Sequence, residues 1–391
     1  MTPLRQSPTD PAFVQDPYPF YDRARAAGDI FDWEDYALPM AVSHRAVNAI
    51  LKDRRLGREP VEPLSFPDHL APFYAVEAQS MLELEPPRHT RLRGLVIRAF
   101  TNRRIRALVP EITALSHALV DAFPDGEIDL LPAYAQRVPV IVIARLLGVP
   151  EAMSDQLLSW SNAMVGMYQA RRSPAMELAA AQAAADFASF MRGYVEERRT
   201  RPADDLITHL IAAEEDGERL TTDELITTCI LLLNAGHEAT VHTMGNGVKA
   251  LLESGAGPAA LTPDRIEATV EEVLRFDPPL HLFTRFVYEE LEMFGRSFSR
   301  GDRVGCLLAA ANRDPGVWAA PSRFDPGRPV QTNLAFGAGI HFCVGAPLAR
   351  LELQIALPVL FSRLPGLRLA EAPAYADLYH FHGLERLVVA R

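Results

Sequence analysis

A single cysteine, Cys343, lies in a glycine-rich segment that leads into an apolar stretch with helical spacing. The segment reads FGAGIHFCVGAPLAR, residues 336–350, and Pro347 suits the first turn of the helix that we expect to follow. Backbone N–H groups and the helix dipole at such an amino terminus favour an anionic sulfur. The chemistry open to Cys343 is therefore that of a thiolate, as a metal ligand or as a nucleophile.

Glycines surround this cysteine, and an aromatic residue, Phe336, is placed to cover its sulfur. Glycine has no Cβ atom, so the backbone can pass close to a flat ligand or adopt a positive φ angle. The glycines concerned are Gly337, Gly339 and Gly345. A lone cysteine is nevertheless more often a small buried apolar residue than a ligand, and at this point that interpretation stays open.

Charged residues at two places have the spacing that puts them on one face of a helix. Glu272 and Arg275 are three apart in EEVLR, and Glu271 could equally pair with Arg275 at a spacing of four. Pairs of this kind are common on helix surfaces, where they contribute little. His89 and Arg93 are four apart in PPRHTRLR. Arginine binds carboxylates bidentately, so this second pair can grip a carboxylate-bearing ligand.

One acid interrupts an otherwise apolar helical segment. Glu238 follows the small residues Ala235 and Gly236 in ILLLNAGHEATVHTMGNGVK, residues 230–249. Small side chains leave room over a cofactor, and burial of a carboxylate is costly unless it is protonated or hydrogen-bonded. The pattern therefore indicates proton handling, with an exposed helical glutamate as the alternative.

Helical spacing of apolar residues dominates the rest of the chain. It predicts helices around residues 90–109, 176–199, 222–252, 263–276 and 347–364, and short strands at 39–42, 303–310 and 387–389. No long polar or Gly/Ser-rich linker separates them. We predict a mainly α fold with a minor β component in a single domain, residues 1–391. Within it we expect a β-richer part over residues 1–60, a helical body over 75–280, and the cysteine loop with its helix over 336–364.

Composition excludes several classes of protein. The 391 residues carry 39 Lys and Arg against 50 Asp and Glu, a net charge of −11, which argues against a nucleic-acid partner. Three widely spaced cysteines do not form a disulfide framework and suit a reducing compartment. A secretory signal and a membrane-spanning run are both lacking, so we expect a cytoplasmic protein without a membrane anchor.

Together these motifs resemble those of the cytochrome P-450 family. FGxGxHxCxG followed by LAR is similar to the signature in which a cysteine thiolate holds haem iron, and EEVLR and PPRHTRLR are similar to two further family motifs. The resemblance implies a triangular helical body around haem b, small sheets, dioxygen as co-substrate, and Cys343 as the iron ligand. It further implies these cofactor-binding residues: His89, Arg93, Arg285, His341, Phe336, Gly337, Gly345, Ala235 and Gly236. It also implies a buried structural network of Glu272, Arg275 and Arg328.

The same resemblance assigns proton delivery to Glu238 and its neighbours, with one departure. The family has AGHETT where this chain has AGHEAT, so Ala239 replaces the first threonine and Thr240 remains. Ala239 has no hydroxyl to bond the carbonyl of Ala235 one turn earlier, and Thr240 is rotated by about 100° around the helix. We expect water, a substrate oxygen or Thr240 to take the place of the missing hydroxyl.

The resemblance also locates a substrate pocket, which is mostly apolar and suits a lipophilic small molecule. Its positions are Met164, Tyr168, Asn234, Ala235, Leu280, Leu282, Phe283 and Phe381. The chain has no GxGxxG loop, so we expect no nicotinamide or flavin site, and electrons from an external ferredoxin and its reductase. Arg103, Arg104 and Arg106 form a basic patch that suits an acidic partner or a solvated helix face. We expect a monomer.

Three other functions are alternatives to a haem-thiolate monooxygenase. A peroxide-driven relative usually has Arg-Pro in place of the acid and alcohol, whereas Glu238 is present here. A non-catalytic haem-binding or sensor protein is suggested by Ala239 alone. A thiol hydrolase that pairs Cys343 with His341 leaves the glycine-rich framing unexplained. The sequence therefore favours the monooxygenase and does not identify its substrate.

Overall fold

A computed structural model describes residues 3–213 and 219–391, and α-helices make up most of it. The prediction of a mainly helical fold with small sheets is confirmed. The α-helices are α1 Pro11–Gln15, α2 Tyr18–Ala27, α3 His44–Lys52, α4 Ala71–Glu77, α5 Arg88–Ala99, α6 Asn102–Ala107, α7 Val109–Asp121, α8 Arg137–Leu147, α9 Ser154–Val165, α10 Pro174–Thr200, α11 Leu206–Ala212, α12 Thr222–Glu253, α13 Ile266–Phe276, α14 Leu308–Asn312 and α15 Ala346–Arg363. Every helix in these two ranges is too short or too polar to traverse a lipid bilayer.

The strands form three small sheets. They are β1 Ile30–Trp33, β2 Leu38–Ala41, β3 Leu56–Gly57, β4 Ile128–Asp129, β5 Leu282–Val287, β6 Leu291–Met293, β7 Arg296–Phe298, β8 Arg303–Leu307, β9 Arg368–Leu369 and β10 Val388–Ala390. The largest sheet has the order β1-β2-β8-β5-β3, the second has the order β4-β10-β9, and β6 pairs with β7. In the largest sheet β2 and β8 run parallel and the other neighbours antiparallel. Strand β5, which carries Arg285, is therefore held on both sides.

Helix α12 is the central element of the largest core. It has 32 residues and starts with a capping box in which Thr221 and Glu224 satisfy each other's backbone N–H groups. Apolar residues surround it on several faces, because it packs against α8, α9, α10 and α13. A helix that is buried on most sides positions its side chains rigidly, and Ala235 to Thr240 lie in its middle.

The structure corrects three predicted boundaries. The helix predicted at 90–109 is interrupted at Phe100, because Thr101 accepts a hydrogen bond from the Arg104 amide and starts α6. The strand predicted at 303–310 ends at Leu307, and the alanine-rich residues after it form α14, as expected from the helix propensity of alanine. Helix α13 begins at Ile266 rather than at Pro263.

A buried cluster around Asp277 ties the two ends of the chain to α13. Tyr18 and Tyr375 donate hydrogen bonds to its two carboxylate oxygens at 2.7 and 2.5 Å. The His382 ring lies 3.1 Å from the first oxygen. The Arg313 guanidinium stacks on the Tyr18 ring, 3.3 Å from its centroid. Burial raises the pKa of Asp277, but the charge and hydrogen bond of His382 and the charge of Arg313 outweigh it, so the pKa lies well below its usual range.

We expect this cluster to make the protein acid-labile in two steps. Burial lowers the pKa of His281 well below its ordinary value, so below about pH 6.5 the unfolded chain binds a proton that the folded chain does not. The Asp277 carboxylate contributes stability above its ordinary pKa of about 4, and that stability is lost as the pH falls further. Thermal unfolding of the holoprotein between pH 3.5 and 8 measures both steps.

Two variants separate the steps. His281→Phe removes the loss of stability that begins as the pH falls below about 6.5, and it leaves the loss that begins near pH 4. Asp277→Asn reduces the lower step and also destabilises at pH 7 by about 2–3 kcal/mol, because Arg313 and His382 lose their buried anion. If both variants keep the wild-type dependence of melting temperature on pH, the cluster is not the origin of the acid lability.

Candidate active site

The segment before Cys343 folds into a tight loop closed by its own backbone. The Cys343 amide donates to the Phe336 carbonyl at 3.0 Å, and the Phe342 amide donates to the Gly339 carbonyl at 3.1 Å. Gly337 and Gly339 have φ angles of +68° and +74°, a region that residues with a Cβ rarely adopt. A Cβ at position 339 would also overlap the carbonyl oxygen of Leu51. Glycine is therefore required at 339 by backbone angle and by space.

The loop delivers Cys343 to the amino terminus of α15, as the sequence predicted. Helix α15 begins at Ala346, so Pro347 is its second residue rather than its first, and Gly345 is the cap with a φ of −80°. A Cβ at Gly345 would make an ordinary contact of 3.7 Å with the Cys343 sulfur. The close approach of a flat ligand at Gly345 stays a prediction.

Opposing effects act on the pKa of the Cys343 thiol. Burial raises the pKa of the thiol, whereas the N–H groups of Gly345 and Ala346, which hydrogen-bond to the sulfur, and the charges of Arg93 and Arg350 act in the opposite direction. The N–H donors that would stabilise an anionic sulfur are therefore present, but burial outweighs them and the pKa of the thiol is raised overall. A coordinated cation deprotonates a thiol outright, so this sulfur is prepared for a metal rather than for free nucleophilic attack.

Glu272, Arg275 and Arg328 form the network that the resemblance implied. Arg275 donates from Nε and Nη2 to the two Glu272 oxygens at 2.7 and 2.8 Å, and both residues are buried. Arg328 Nε lies 3.3 Å from the Glu272 carboxylate. The remaining Arg275 donors reach the carbonyls of Asn312 and Pro321 at 3.1 and 2.9 Å. The network thus joins α13 to the segment that precedes the cysteine loop.

Glu271, the alternative partner for Arg275, faces elsewhere. Its carboxylate accepts from Arg350 Nε on α15 at 2.5 Å and from Asn333 Nδ2 at 3.0 Å. Arg350 in turn stacks over the Phe336 ring at 4.6 Å. Glu271 therefore supports the cysteine loop, and the i to i+3 pair is the buried one.

Three cationic or imidazole side chains converge beside this loop. His89 and Arg93 both lie on α5, and the His89 ring packs at a tilt against the His341 ring, with centroids 4.4 Å apart. His341 Nε2 lies 2.8 Å from a Glu85 carboxylate oxygen, a partner that the sequence analysis missed. Arg93 donates to the Phe342 carbonyl at 2.5 Å. Burial and the charges of His341 and Arg93 lower the pKa of His89 to about 4, so its ring is neutral near pH 7.

The central helix α12 exposes small residues in an otherwise buried stretch. Ala235 is exposed and Gly236 is half-buried, while Leu232, Leu233 and His237 are buried. Small side chains at these two positions would leave room for a cofactor face beside the helix. That Ala235 and Gly236 border the cofactor stays a prediction.

The acid and its two neighbours on α12 behave differently from one another. Glu238 Oε1 lies 3.2 Å from His242 Nε2. Thr240 is buried and its hydroxyl donates to the Gly236 carbonyl at 3.3 Å, whereas the Ala239 carbonyl accepts from the Thr243 hydroxyl at 2.7 Å. Thr240 therefore satisfies its hydroxyl within its own helix and does not occupy the position of the missing one.

Apart from Ala235, which is exposed, the predicted pocket residues fall into two groups, half-buried residues and two that are buried in the core. Leu280 and Phe381 pair across an antiparallel bridge, Tyr168 donates to a Glu77 oxygen at 2.8 Å, and Asn234 lies 3.6 Å from the Met164 sulfur. Phe283 is half-buried beneath the Arg58 guanidinium at 5.2 Å. Met164 and Leu282 are 1% and 4% exposed and belong to two different hydrophobic clusters. Those two side chains thus behave as core.

Two acids, one half-buried and one buried, were also missed. Glu77 lies at the end of α4 near Glu83 and Arg58, and burial and the charge of Glu83 raise its pKa to about 8. Glu352 on α15 is 1% exposed with no hydrogen-bond partner among the described residues, and burial raises its pKa to about 8. Neither lies in a motif that marks burial, so the sequence alone had no signal for them.

Asp277, His281 and His382 also bring potential ligand atoms within 4.8 Å of one another. We assign this group to structure rather than to metal binding. Both Asp277 oxygens already accept hydrogen bonds from tyrosines, and the Arg313 charge acts on both Asp277 and His281. A divalent cation would have to overcome that positive charge.

Comparison with known proteins decides the family. A family model described as Cytochrome P450 matches residues 266–365, from α13 through α15. Cytochrome P450 monooxygenase PikC of Streptomyces venezuelae is 38% identical over 92% of this chain and 87% of the relative. The chain belongs to the cytochrome P450 family. A second relative, vitamin D(3) 25-hydroxylase of Pseudonocardia autotrophica, is 38% identical to this P450 over 96% of the chain and 94% of the relative. The protein is thus an oxidoreductase of the monooxygenase type.

The fold of this P450 is also that of solved family members. P450BioI, crystallised in complex with an acyl carrier protein ligated to hexadec-9Z-enoic acid, superposes with a TM-score of 0.92 at 34% identity. The match covers 97% of this chain and 99% of that one. A second solved structure, CalO2, gives a TM-score of 0.90 at 30% identity over 99% and 98% of the two chains. The predicted single-domain P450 architecture is confirmed.

Two cationic side chains of this P450, the buried Arg285 and the half-buried Arg93, fit the haem that its family uses. Arg285 is 3% exposed and donates to the carbonyl of Thr284 at 3.0 Å. Within residues 3–213 and 219–391, neither Arg285 nor Arg93 has a carboxylate at ion-pair distance, and both ring nitrogens of His89 lack a partner. Burial lowers the pKa of both arginines, which is costly without an anion. Haem propionates would supply the two missing carboxylates.

Proposed function

We propose that this P450 oxidises a lipophilic small molecule with dioxygen and electrons from an external ferredoxin. One observation carries the proposal: the Cys343 sulfur, with N–H donors from Gly345 and Ala346, lies near Arg93, and Arg93, like Arg285, has no carboxylate at ion-pair distance among the described residues. In this arrangement Cys343 would ligate the iron of haem b. When bound, a haem with a thiolate ligand favours cleavage of the O–O bond, which is the chemistry of oxygen insertion.

The chain's own residues would hold and orient the cofactor. His89, Arg93, Arg285 and His341 would bind the propionates, and Phe336, Gly337 and Gly345 would lie against the ring on the cysteine side. Ala235 and Gly236 would border the opposite face. Glu272, Arg275 and Arg328 are too deeply engaged with one another to take part in chemistry, so we assign them to folding and haem retention.

An apolar pocket favours a lipophilic substrate. The half-buried residues at the predicted pocket positions are largely apolar or aromatic, with Asn234 and Tyr168 as polar exceptions. Two relatives carry names or ligands of lipophilic type, vitamin D(3) and a hexadecenoic acyl chain. Terpenoids, steroids, polyketides and aromatic compounds all fall within this class.

The electron donor would bind near the basic helix α6. Arg103 and Arg106 are exposed, whereas Arg104 is half-buried and lies 3.4 Å from Asp204. The patch therefore offers two arginines rather than three to an acidic ferredoxin. We propose that this face receives the ferredoxin and that the enzyme works as a monomer.

A ligand screen tests the function. The holoprotein is first reduced under carbon monoxide, and a red-shifted Soret band reports thiolate ligation. Lipophilic compounds are then screened for the optical change that follows displacement of iron-bound water, and the ones that bind are incubated with ferredoxin, its reductase and reduced nicotinamide. Hydroxylated or epoxidised product supports the proposal. Turnover with peroxide alone would instead support a peroxide-driven enzyme. If no bound compound causes reductant consumption, a non-catalytic haem-binding or sensor protein is the better interpretation.

Ala239 gives a prediction about proton delivery. We expect Ala239→Thr to couple reductant to product no better than the wild type, within about twofold, because a substrate oxygen or water already occupies the space of the missing hydroxyl. Product formed per reduced nicotinamide consumed, with the true substrate, measures this. Ala239→Val is the matched control, since valine has the shape of threonine without its hydroxyl. A markedly better-coupled Ala239→Thr enzyme, with Ala239→Val unchanged, would contradict the idea.

A further inference from the structure

The Glu238 carboxylate lies between two imidazoles of its own helix. Its Oε1 is 3.2 Å from His242 Nε2 with hydrogen-bond geometry, and its Oε2 is 3.3 Å from His237 Nε2 without it. The His237 ring points its other nitrogen to Ser161 Oγ and the Leu233 carbonyl at 3.3 and 3.4 Å. His242 is therefore the residue that holds Glu238 in one direction.

The surrounding residues fix the position of the His242 ring. It is 8% exposed, and its Nδ1 has no hydrogen-bond partner among the described residues. Gly383, in the carboxyl-terminal segment, leaves room for it, because a Cβ at that position would overlap Nδ1, Cε1 and Cγ of the ring. Phe381 of the same segment packs with its ring centroid 6.1 Å from that of His242. A buried imidazole in a slot kept open by glycine is thus aimed at Glu238.

The charges around Glu238 also indicate that His242 is its main partner. Burial raises the pKa of Glu238, but the hydrogen bond and charge of His242, followed by the charge of His237, outweigh it and lower the pKa. Within the described ranges, the charged groups that act on Glu238 are these two histidines on α12, and those that act on His237 are Glu238 and His242. Ser161 from α9 and Gly383 and Phe381 from the carboxyl-terminal segment add no charge. The ionisation of Glu238 therefore depends mainly on His242.

We propose that His242 is a positioning residue for proton delivery: its Nε2–H donates a hydrogen bond to the Glu238 carboxylate and holds that carboxylate in one orientation. This inference rests on the proposed monooxygenase function. The neighbouring hydroxyls do not provide the constraint, because Thr240 and Thr243 donate to the carbonyls of Gly236 and Ala239. His242 lies four residues after Glu238, one turn along α12, where it can reach the carboxylate without help from another element.

Two amide variants test which ring nitrogen matters. The glutamine side-chain amide reaches about as far as Nε2 of histidine, whereas the asparagine amide reaches only about as far as Nδ1. We expect His242→Phe and His242→Asn to move the acidic limb of the coupling-versus-pH profile upward by about one pH unit, since a hydrogen bond to the carboxylate is lost. His242→Gln should restore most of the wild-type profile. Thr228→Val, a buried substitution four turns earlier on α12, is the control for general disturbance of the helix.

A second measurement does not depend on turnover. Infrared difference spectra of the holoprotein, with Glu238→Gln subtracted, follow protonation of the Glu238 carboxyl group as the pH falls. The midpoint should rise in His242→Phe and in Gly383→Ala, whose new Cβ displaces the ring without altering its chemistry. Gly383→Ala keeps the test available if His242→Phe does not fold.

The outcomes separate this inference from the function on which it rests. If wild type lacks the red-shifted Soret band of its carbon monoxide complex, the monooxygenase proposal fails. If all variants keep that band but His242→Phe and Gly383→Ala leave both the infrared midpoint and the pH profile at wild-type values, His242 only packs and the inference is overturned. Equal effects of His242→Asn and His242→Gln would also overturn it, because Nε2 would then have no special role.

Discussion

Replacement of Cys343 by alanine is expected to abolish the red-shifted Soret band of the carbon monoxide complex and to reduce monooxygenation to background. The sulfur is the one soft anionic ligand that the loop offers, and as the ligand of haem iron it would supply the electron donation that favours O–O cleavage in a haem-thiolate enzyme. The loop itself should survive, because the 3.0 Å bond from the Cys343 amide to the Phe336 carbonyl uses the backbone. The absorption spectrum of the reduced protein under carbon monoxide and product formation with a bound substrate are the two measurements.

Cys229 provides the matched control for this prediction. It is fully buried on α12, and burial raises the pKa of its thiol to about 12, which is the behaviour of a small apolar residue. Cys229→Ala should keep the Soret position and the activity, and should cost about 1 kcal/mol of stability through the small cavity. If Cys343→Ala retains a red-shifted band, or if Cys229→Ala loses it, the iron ligand has been assigned to the wrong residue.

Local patterns predicted the parts of the site whose residues are close in sequence. The cysteine loop, the start of α15 near Pro347, and the α5 pair His89 and Arg93 all follow from spacing within one or two turns. The same reasoning failed at Phe100 and Leu307, where a capping threonine and a run of alanines overrode the apolar periodicity. Boundaries depend on single side chains that compete with the periodic signal, and this is why they were missed.

Contacts between distant segments were the main thing that the sequence could not supply. The pairing of His341 with Glu85 joins residues 256 apart, and that of His382 with Asp277 joins residues 105 apart. Nothing in either local segment identifies the distant partner of these side chains. The structure also shows that the Thr240 hydroxyl is used by its own helix, which spacing alone left open.

Glu238 illustrates both limits. Its place in an apolar helix marked it for proton handling, and Ala239 marked a departure from the family pattern. The role of His242 was inferred from three features of the fold: the way in which α12 is turned toward its neighbours, the His242 Nδ1 atom without a hydrogen-bond partner, and the space beside Gly383. A single sequence displays none of them. Residues four apart on a helix are always neighbours, but whether that neighbourhood is buried is a property of the whole fold.

Glu272→Gln is expected to destabilise the protein by about 3–5 kcal/mol, the cost of leaving a buried cation without its partner. Arg275 is 2% exposed and donates two hydrogen bonds to Glu272, and Arg328 also lies at ion-pair distance. Neutralising the acid leaves both guanidinium groups without their shared anion in a poorly solvated space. The Asp325 amide, which donates to Glu272 Oε1 at 2.8 Å, loses an anionic acceptor as well. Denaturant unfolding of the holoprotein and the rate of haem loss should both report the change.

Glu271→Gln is the matched control, because it is the adjacent residue on the same helix with the same substitution. The Glu271 and Arg350 side chains remain 19% and 30% exposed, so solvent screens their interaction and the expected cost is about 1 kcal/mol or less. Each variant removes one carboxylate that pairs with arginine. The difference between their free energies of unfolding therefore reports the effect of burial rather than that of charge. Equal destabilisation by the two substitutions would mean that the Glu272 network is no more important than a surface ion pair, and its assignment to folding and haem retention would then be wrong.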